Sequence, residues 1–134
     1  MASIETVEGI GAKYGKRMRA VGIRSTGGLL KAGGTAKGRK ELAAKTGFSA
    51  HQILEWTNRC DLMRVRGVGE EYSDLLEASG VDTVKELRTR NAENLLKKMG
   101  EVNASKKLVR RPPVLSMVKR WIAHAKELPP AVSY

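Results

Sequence analysis

The chain has 134 residues and a formal net charge of +11, from 25 Lys and Arg against 14 Asp and Glu. This length predicts one domain or two small fused ones. The basic excess favours a polyanion as partner, although a solvated surface or an acidic protein partner also fits it. No apolar run approaches the roughly 20 residues of a membrane span, and the first residues lack a signal-peptide pattern. A single cysteine, Cys60, excludes an internal disulfide and fits a reducing compartment, so we expect a cytoplasmic protein without membrane contact.

Capping residues and glycines predict four helices in the first half of the chain. Ser25 or Thr26 can cap a short helix, and Thr35 can cap the next one. Ser49 and Gln52 have the spacing of a capping box. The predicted elements are a single turn over residues 3–7 and helices over residues 12–21, 26–32, 36–46 and about 50–63.

The second half repeats this plan with changed spacing. Thr83 and Glu86 again have capping-box spacing, and Asn91 can cap the following helix. A basic connection over residues 106–111 is followed by two prolines that stop any helix. The predicted helices cover residues 70–79, 84–90, 92 to beyond 99, and 115–128. Because no stretch alternates as a strand would, the predicted fold class is all-α, packed as one compact helical domain.

An internal repeat organises the chain. The stretch Val-Glu-Gly-Ile-Gly-Ala-Lys-Tyr at residues 7–14 returns as Val-Arg-Gly-Val-Gly-Glu-Glu-Tyr at residues 65–72, and the same offset of 58 relates Gly22 to Gly80. Trp56 and Trp121, each in an apolar helical stripe that predicts burial in a core, align at an offset of 65 instead. We therefore predict two tandem repeats, residues 1–60 and 61–134.

The two Gly-x-Gly stretches predict tight hairpins. Glycine adopts backbone conformations that other residues resist, so Ile10, and Val68 in the second copy, can point inward as a plug. The first amides of the helix that follows have no partner within it, and together with the helix dipole they form a small anion site. A nucleic-acid phosphate fits such a site without any base being read.

These residues resemble the helix-hairpin-helix motif in both copies. In that family the hairpin amides hold a DNA backbone phosphate, and a nearby basic residue often helps. The chain also resembles a family of small bacterial proteins of uncharacterised function with two such repeats. This second resemblance implies a tandem helix-hairpin-helix fold and no particular activity.

The two copies differ in charge around the hairpin. The first hairpin is followed by Lys13, Lys16, Arg17 and Arg19, whereas the second is followed by Glu70, Glu71, Asp74 and Glu77. We therefore expect the first hairpin to bind a phosphate and the second to be structural, although both hairpins could instead serve only helix packing. Two further basic stretches, at residues 37–40 and 106–111, could extend the contact or could be ordinary solvated charge.

The resulting hypothesis is a non-enzymatic protein that binds nucleic acid, preferably duplex DNA, through its backbone and without sequence preference. The alternative is a protein-interaction or self-association module in which the acidic second hairpin of one chain meets the basic first hairpin of another. The candidate nucleic-acid-binding residues are Gly9, Ile10, Gly11, Lys13, Lys16, Arg17, Lys106, Lys107, Arg110 and Arg111.

The residue pattern does not predict an enzyme. His51, His124 and Cys60 have no metal-ligand spacing, and the glycines lack the Gly-Lys-Ser/Thr ending of a P-loop. Base-excision glycosylases resemble the chain in their helix-hairpin-helix, which in those enzymes is followed by a catalytic Asp. Residues 1–60 contain no Asp, and Asp82 follows the acidic hairpin at short spacing. We expect no catalytic residue, no metal, no cofactor and no small-molecule substrate.

Overall fold

The computed structural model describes residues 2–134 and confirms the all-α prediction. Within that range the backbone outside the helices forms one isolated bridge, between Ser3 and Ser25, and no strand. The chain divides into unit 1, with residues 2–61 and 131–134, and unit 2, with residues 62–130. The elements are a 3-10 turn at Ile4–Thr6 and the helices α1 (Gly11–Ala20), α2 (Thr26–Gly33), α3 (Ala36–Thr46), α4 (Ala50–Leu62), α5 (Glu70–Ala78), α6 (Val84–Leu87), α7 (Ala92–Lys106) and α8 (Leu115–Glu127).

Short polar side chains begin most of these helices, as predicted. Each accepts a hydrogen bond from a backbone N–H three residues later, which satisfies one amide of the first turn. The caps are Ser25 on α2 at 3.0 Å, Thr35 on α3 at 3.1 Å, Ser49 on α4 at 3.0 Å, Thr83 on α6 at 3.4 Å and Asn91 on α7 at 3.0 Å. The side chain of Gln52 accepts in return from the N–H of Ser49 at 3.1 Å, so the predicted capping box is confirmed.

The helices α1 and α5 end in the same Schellman motif. In each, a glycine of positive φ stands just beyond the C-cap residue, and the N–H of the following residue returns to the last turn. The Ile23 N–H donates to the Met18 carbonyl at 3.0 Å, and the Val81 N–H donates to the Leu76 carbonyl at 2.9 Å. The glycines are Gly22, with φ of 88°, and Gly80, with φ of 92°.

Each unit buries its own tryptophan, as predicted. In unit 1, Trp56 packs edge-on against Phe48, with ring centroids 4.9 Å apart, and Cys60 lies buried beside them in the same core. Burial raises the pKa of the Cys60 thiol to about 12, so the side chain serves as a small apolar filler of the core. In unit 2, Trp121 packs against Tyr72, with centroids 5.1 Å apart. None of the helices within residues 2–134 combines the length and apolar composition needed to traverse a lipid bilayer.

Candidate nucleic-acid interface

The first hairpin turns on two glycines of positive φ. Gly9 has φ of 92° and Gly11 has φ of 60°, a region that other residues rarely adopt. Between them Ile10 is only 3% exposed, and its N–H donates to the Val7 carbonyl at 3.0 Å. Ile10 is therefore the predicted apolar plug, and it contributes no side chain to the outer surface.

The start of α1 presents amides at the surface. Ile10 is the N-cap residue and its side chain makes no capping hydrogen bond, in contrast to the capped starts of α2, α3, α4, α6 and α7. Gly11, Ala12 and Lys13 are all exposed, and no atom lies within 4 Å of a Cβ built on Gly11. The N–H groups of this first turn have no carbonyl partner in a helix, and they carry the positive end of its dipole. The arrangement can hold an anion that approaches the backbone closely.

Two lysines beside this turn are available to an anion. Lys13 and Lys16 are exposed on α1 and make no ion pair or hydrogen bond within residues 2–134. Glu8, in the hairpin itself, is also exposed and places one carboxylate close to the site. The local charge on the first hairpin therefore remains positive.

Arg17 is exposed but already held by unit 1. Its guanidinium lies 4.1 Å from the centre of the Phe48 ring and donates to the Thr46 carbonyl at the end of α3. This cation–π contact and hydrogen bond tie α1 to the turn between α3 and α4. Arg17 thus adds positive charge from a fixed position.

Arg19 is neutralised locally, which the charge pattern after Gly11 did not indicate. Its guanidinium forms two hydrogen bonds with the Glu5 carboxylate, both at 2.8 Å. The hydrogen bonds from Arg19 hold the pKa of Glu5 down at about 2, and the same contact raises the pKa of Arg19. The acid comes from the 3-10 turn that precedes the hairpin.

Two side chains of α4 pack against the first hairpin and hold its backbone. A Cβ on Gly9 would lie 3.0 Å from Nε1 of Trp56, so glycine is required by space as well as by φ. Nη1 of Arg59 donates to the Glu8 carbonyl at 2.9 Å. These contacts fix the turn before any ligand arrives, which lowers the entropic cost of binding.

The second hairpin differs at its second glycine. Gly67 has φ of 86° and lies against Trp121 as Gly9 lies against Trp56, with a Cβ position 3.1 Å from the indole nitrogen. Gly69, however, is extended, with φ of −102°. The exposed acids Glu70 and Glu71 occupy the first turn of α5 and would repel a phosphate there.

The basic connection in unit 2 is anchored at both ends. The side-chain amide of Asn103 exchanges hydrogen bonds with the backbone of Val109, at 3.0 and 3.3 Å, and the Tyr72 hydroxyl donates to the Arg111 carbonyl at 2.9 Å. Lys107 adopts the left-handed conformation, with φ of 52°, and ends α7. All four cations of this connection are exposed and unpaired within residues 2–134: Lys106, Lys107, Arg110 and Arg111.

Two side chains differ from the sequence-based expectation. Arg39, considered as part of a basic surface at residues 37–40, is 95% buried and donates to the carbonyls of Gly33 and Ser133 at 2.9 and 2.7 Å, so it is structural. His124, for which the sequence indicated no role, accepts a hydrogen bond at Nδ1 from the Arg66 N–H at 3.0 Å. The offset of 65 that aligns the tryptophans also aligns His124 with Arg59, and this alignment could have indicated its role.

A family model described as a domain of unknown function, DUF4332, matches residues 8–128 and so spans both hairpins. Comparison with the curated proteins and with the solved structures finds no match. Within residues 2–134, no group of three or more His, Cys, Asp or Glu side chains is arranged to hold a metal ion.

Proposed function

Because the chain belongs to the DUF4332 family, whose description assigns no function, we propose one from the geometry. The protein binds the phosphate backbone of nucleic acid, with duplex DNA as the preferred polymer, and it does so through the first hairpin without catalysis. The observation that carries this proposal is the uncapped, exposed first turn of α1, flanked by Lys13 and Lys16.

The motif behind this function is a tandem helix-hairpin-helix. In support, both hairpins place a buried β-branched plug between two glycines, and the helix after each hairpin ends in the same Schellman motif. The two Gly-Trp contacts give each hairpin the same brace. We assign the second copy a structural role because its helix begins with two exposed acids.

A phosphate at the first hairpin would accept hydrogen bonds from the amides of α1 while the two lysines supply charge. Gly11 allows the close approach, since nothing covers it. Contacts of this kind reach phosphate oxygens and no base edges, so they predict binding without sequence preference. In the same proposal the basic connection over residues 106–111 contacts further phosphates from its own unit.

Salt dependence tests this proposal. Neutralising about five phosphates gives a slope of about −4.5 for log affinity against log salt, measured by fluorescence anisotropy of a labelled duplex. The variant Lys13→Gln/Lys16→Gln should weaken binding and make the slope shallower by about 1.8. The matched control, Lys31→Gln/Lys45→Gln, removes two exposed charges from α2 and α3 and should change both quantities less. Affinity independent of salt, or equal losses in the two variants, would contradict the proposal.

The self-association alternative also has an observation in its favour. Glu70 and Glu71 are exposed at the start of α5 and unpaired within residues 2–134, so they could meet Lys13 and Lys16 of another copy. Light scattering against salt separates the two functions. Oligomers that dissociate as salt rises, are lost in Glu70→Gln/Glu71→Gln and show no affinity for DNA would favour the alternative.

A further inference from the structure

A second cationic surface lies in unit 2, on the α8 side of the second hairpin. Here an open groove of about 480 Å³ separates the turn at Gly67 from one face of α8. Its volume is in the range of small-ligand sites. The groove residues that bear on ligand chemistry are Arg66, Gly67, Arg120, Trp121, His124 and Glu127.

Two of these residues are cations without a protein partner. Arg66 and Arg120 are exposed, and neither side chain makes an ion pair or hydrogen bond within residues 2–134. Glu127 is the one acid in the groove lining, and it too is unpaired in the described chain. The groove lining therefore carries two guanidinium groups, each able to bind a pair of oxygens in a fork, and one carboxylate.

His124 adds a donor of fixed orientation. Its Nδ1 accepts the Arg66 N–H at 3.0 Å. A neutral imidazole that accepts at Nδ1 carries its proton on Nε2, so Nε2–H can donate to a ligand. The same hydrogen bond fixes the backbone of Arg66 at the rim of the groove.

Trp121 adds a further donor. The residue as a whole is only 2% exposed, and its indole N–H, which keeps access to solvent, has no acceptor within residues 2–134. Gly67 is the reason that this nitrogen reaches the groove, because a Cβ there would lie 3.1 Å from Nε1. Because no protein group accepts from this N–H, it can donate to a ligand oxygen that enters the groove.

The two groove arginines are not shared by the two repeats, because acids occupy the equivalent positions in unit 1. The offsets of 58 and 65 that align the two hairpins and the two tryptophans relate Arg66 to Glu8 and Arg120 to Glu55. Glu55 is paired with His51 at 2.9 Å. The positions of Arg66 and Arg120 in unit 2 are thus occupied by acids in unit 1. The helices that follow the hairpins show the reverse, because α1 is basic and α5 is acidic. Unit 1 is basic on α1, and unit 2 is basic on its α8 groove.

We propose that the groove between the Gly67 turn and α8 binds a phosphate group. Arg66 and Arg120 neutralise its charge, and the N–H groups of His124 and Trp121 donate to its oxygens. The phosphate can belong to a nucleic-acid strand or to a small phosphoester, because the four groups recognise the phosphate alone. Every residue that forms this site lies in unit 2, whereas the first hairpin lies in unit 1.

The two tryptophans supply the test. The indole N–H of Trp121, which lies against Gly67, reports on the groove, whereas that of Trp56, which lies against Gly9, reports on the first hairpin. In ¹H–¹⁵N spectra at constant pH and ionic strength, the Trp121 signal should shift and saturate whether or not the Trp56 signal moves. The probes are inorganic phosphate, a nucleoside 5′-monophosphate and a short DNA duplex, with sodium chloride as the ionic-strength control. Saturation with the duplex alone assigns a nucleic-acid strand, and saturation with the monophosphate assigns a small phosphoester.

Substitutions in the groove test whether the shift of the Trp121 signal reports binding there. Arg66→Gln/Arg120→Gln should lower the affinity about tenfold or more, because it removes two charged donors. The control Lys97→Gln/Lys98→Gln, from exposed positions on α7, should leave the affinity unchanged, and Glu127→Gln should raise it. No shift of the Trp121 signal with any probe, an equal response to chloride, or full affinity in Arg66→Gln/Arg120→Gln would overturn the proposal. Lys13→Gln/Lys16→Gln should keep the Trp121 response, which separates this site from the first hairpin.

Discussion

Arg59 and His124 occupy equivalent positions, each three residues after the tryptophan of its unit. Each side chain forms a hydrogen bond with the backbone of its own hairpin, one as a donor and the other as an acceptor. Arg59 donates to the Glu8 carbonyl at 2.9 Å, whereas His124 accepts from the Arg66 N–H at 3.0 Å. The hairpin backbone is therefore held by a guanidinium donor in one repeat and by an imidazole acceptor in the other. The two hairpins are held alike and differ in the charge that they present.

The brace in unit 2 can be tested by amide exchange. In His124→Ala the Arg66 N–H loses its acceptor, so its hydrogen exchange should become faster and the stability should fall by about 1 kcal/mol. His124→Asn offers a side-chain oxygen near the position of Nδ1 and should keep most of the protection. If Arg66 exchanges equally fast in the wild type and in both variants, the hydrogen bond does not hold the turn.

The glycines of the hairpins should respond unequally to alanine. Among Gly11, Gly67 and Gly69, the change Gly67→Ala should lower the free energy of unfolding most, because its positive φ costs about 1–2 kcal/mol and its Cβ would press on the Trp121 indole. Gly11→Ala should show the backbone cost alone, since its surroundings are open. Gly69→Ala should be neutral or stabilising by up to about 1 kcal/mol, because Gly69 is extended and unobstructed.

Urea denaturation of the three variants gives this order directly. An equal cost at Gly69 and Gly67 would show that the second hairpin requires both glycines. That result would be inconsistent with the extended backbone of Gly69.

The Glu5–Arg19 pair should make stability sensitive to acid. Arg19 holds the folded-state pKa of Glu5 at about 2, below the ordinary value of 4.5. A depressed carboxyl pKa stabilises the fold above the ordinary pKa, and that contribution is lost as the pH falls from about 4.5 through 2. The difference in unfolding free energy between the wild type and Glu5→Gln should therefore shrink across this window.

A titration of stability from pH 7 down to pH 2 measures this difference. Arg19→Met removes the partner instead and should abolish the same pH-dependent component. A Glu5→Gln difference that stays constant with pH would show that the ion pair does not set the Glu5 pKa.

Local signals predicted much of this fold. Thr35 predicted the start of α3 and Ser49 with Gln52 the start of α4, because capping residues have one strong structural meaning. The predicted end of α3 at residue 46 is also correct, and the left-handed Gly47 follows it. The end of α7 was less clear, because the helix continues through Gly100, a residue that usually weakens helices.

Contacts distant in sequence could not be predicted. Arg39 is buried because Ser133, 94 residues later, accepts its hydrogen bond, and no local pattern indicates that partner. The α8 groove combines Arg66 with Arg120, which only the folded unit brings to one surface. The net charge and the charge difference between the repeats predicted an anion site at the start of α1. They did not indicate that Glu5 neutralises Arg19.

The most direct measurement concerns the amides at the start of α1. Ala12→Pro deletes one of these N–H groups at an exposed first-turn position, where proline is compatible with a helix. Ala36→Pro also deletes one first-turn N–H, at the first position of the exposed, Thr35-capped start of α3, and is the control. Each variant is compared with the wild type by anisotropy with the labelled duplex at low salt. If the first hairpin holds a phosphate through its amides, Ala12→Pro should bind about tenfold more weakly and Ala36→Pro should bind normally. Equal affinity of Ala12→Pro and the wild type, with both variants folded, would contradict it.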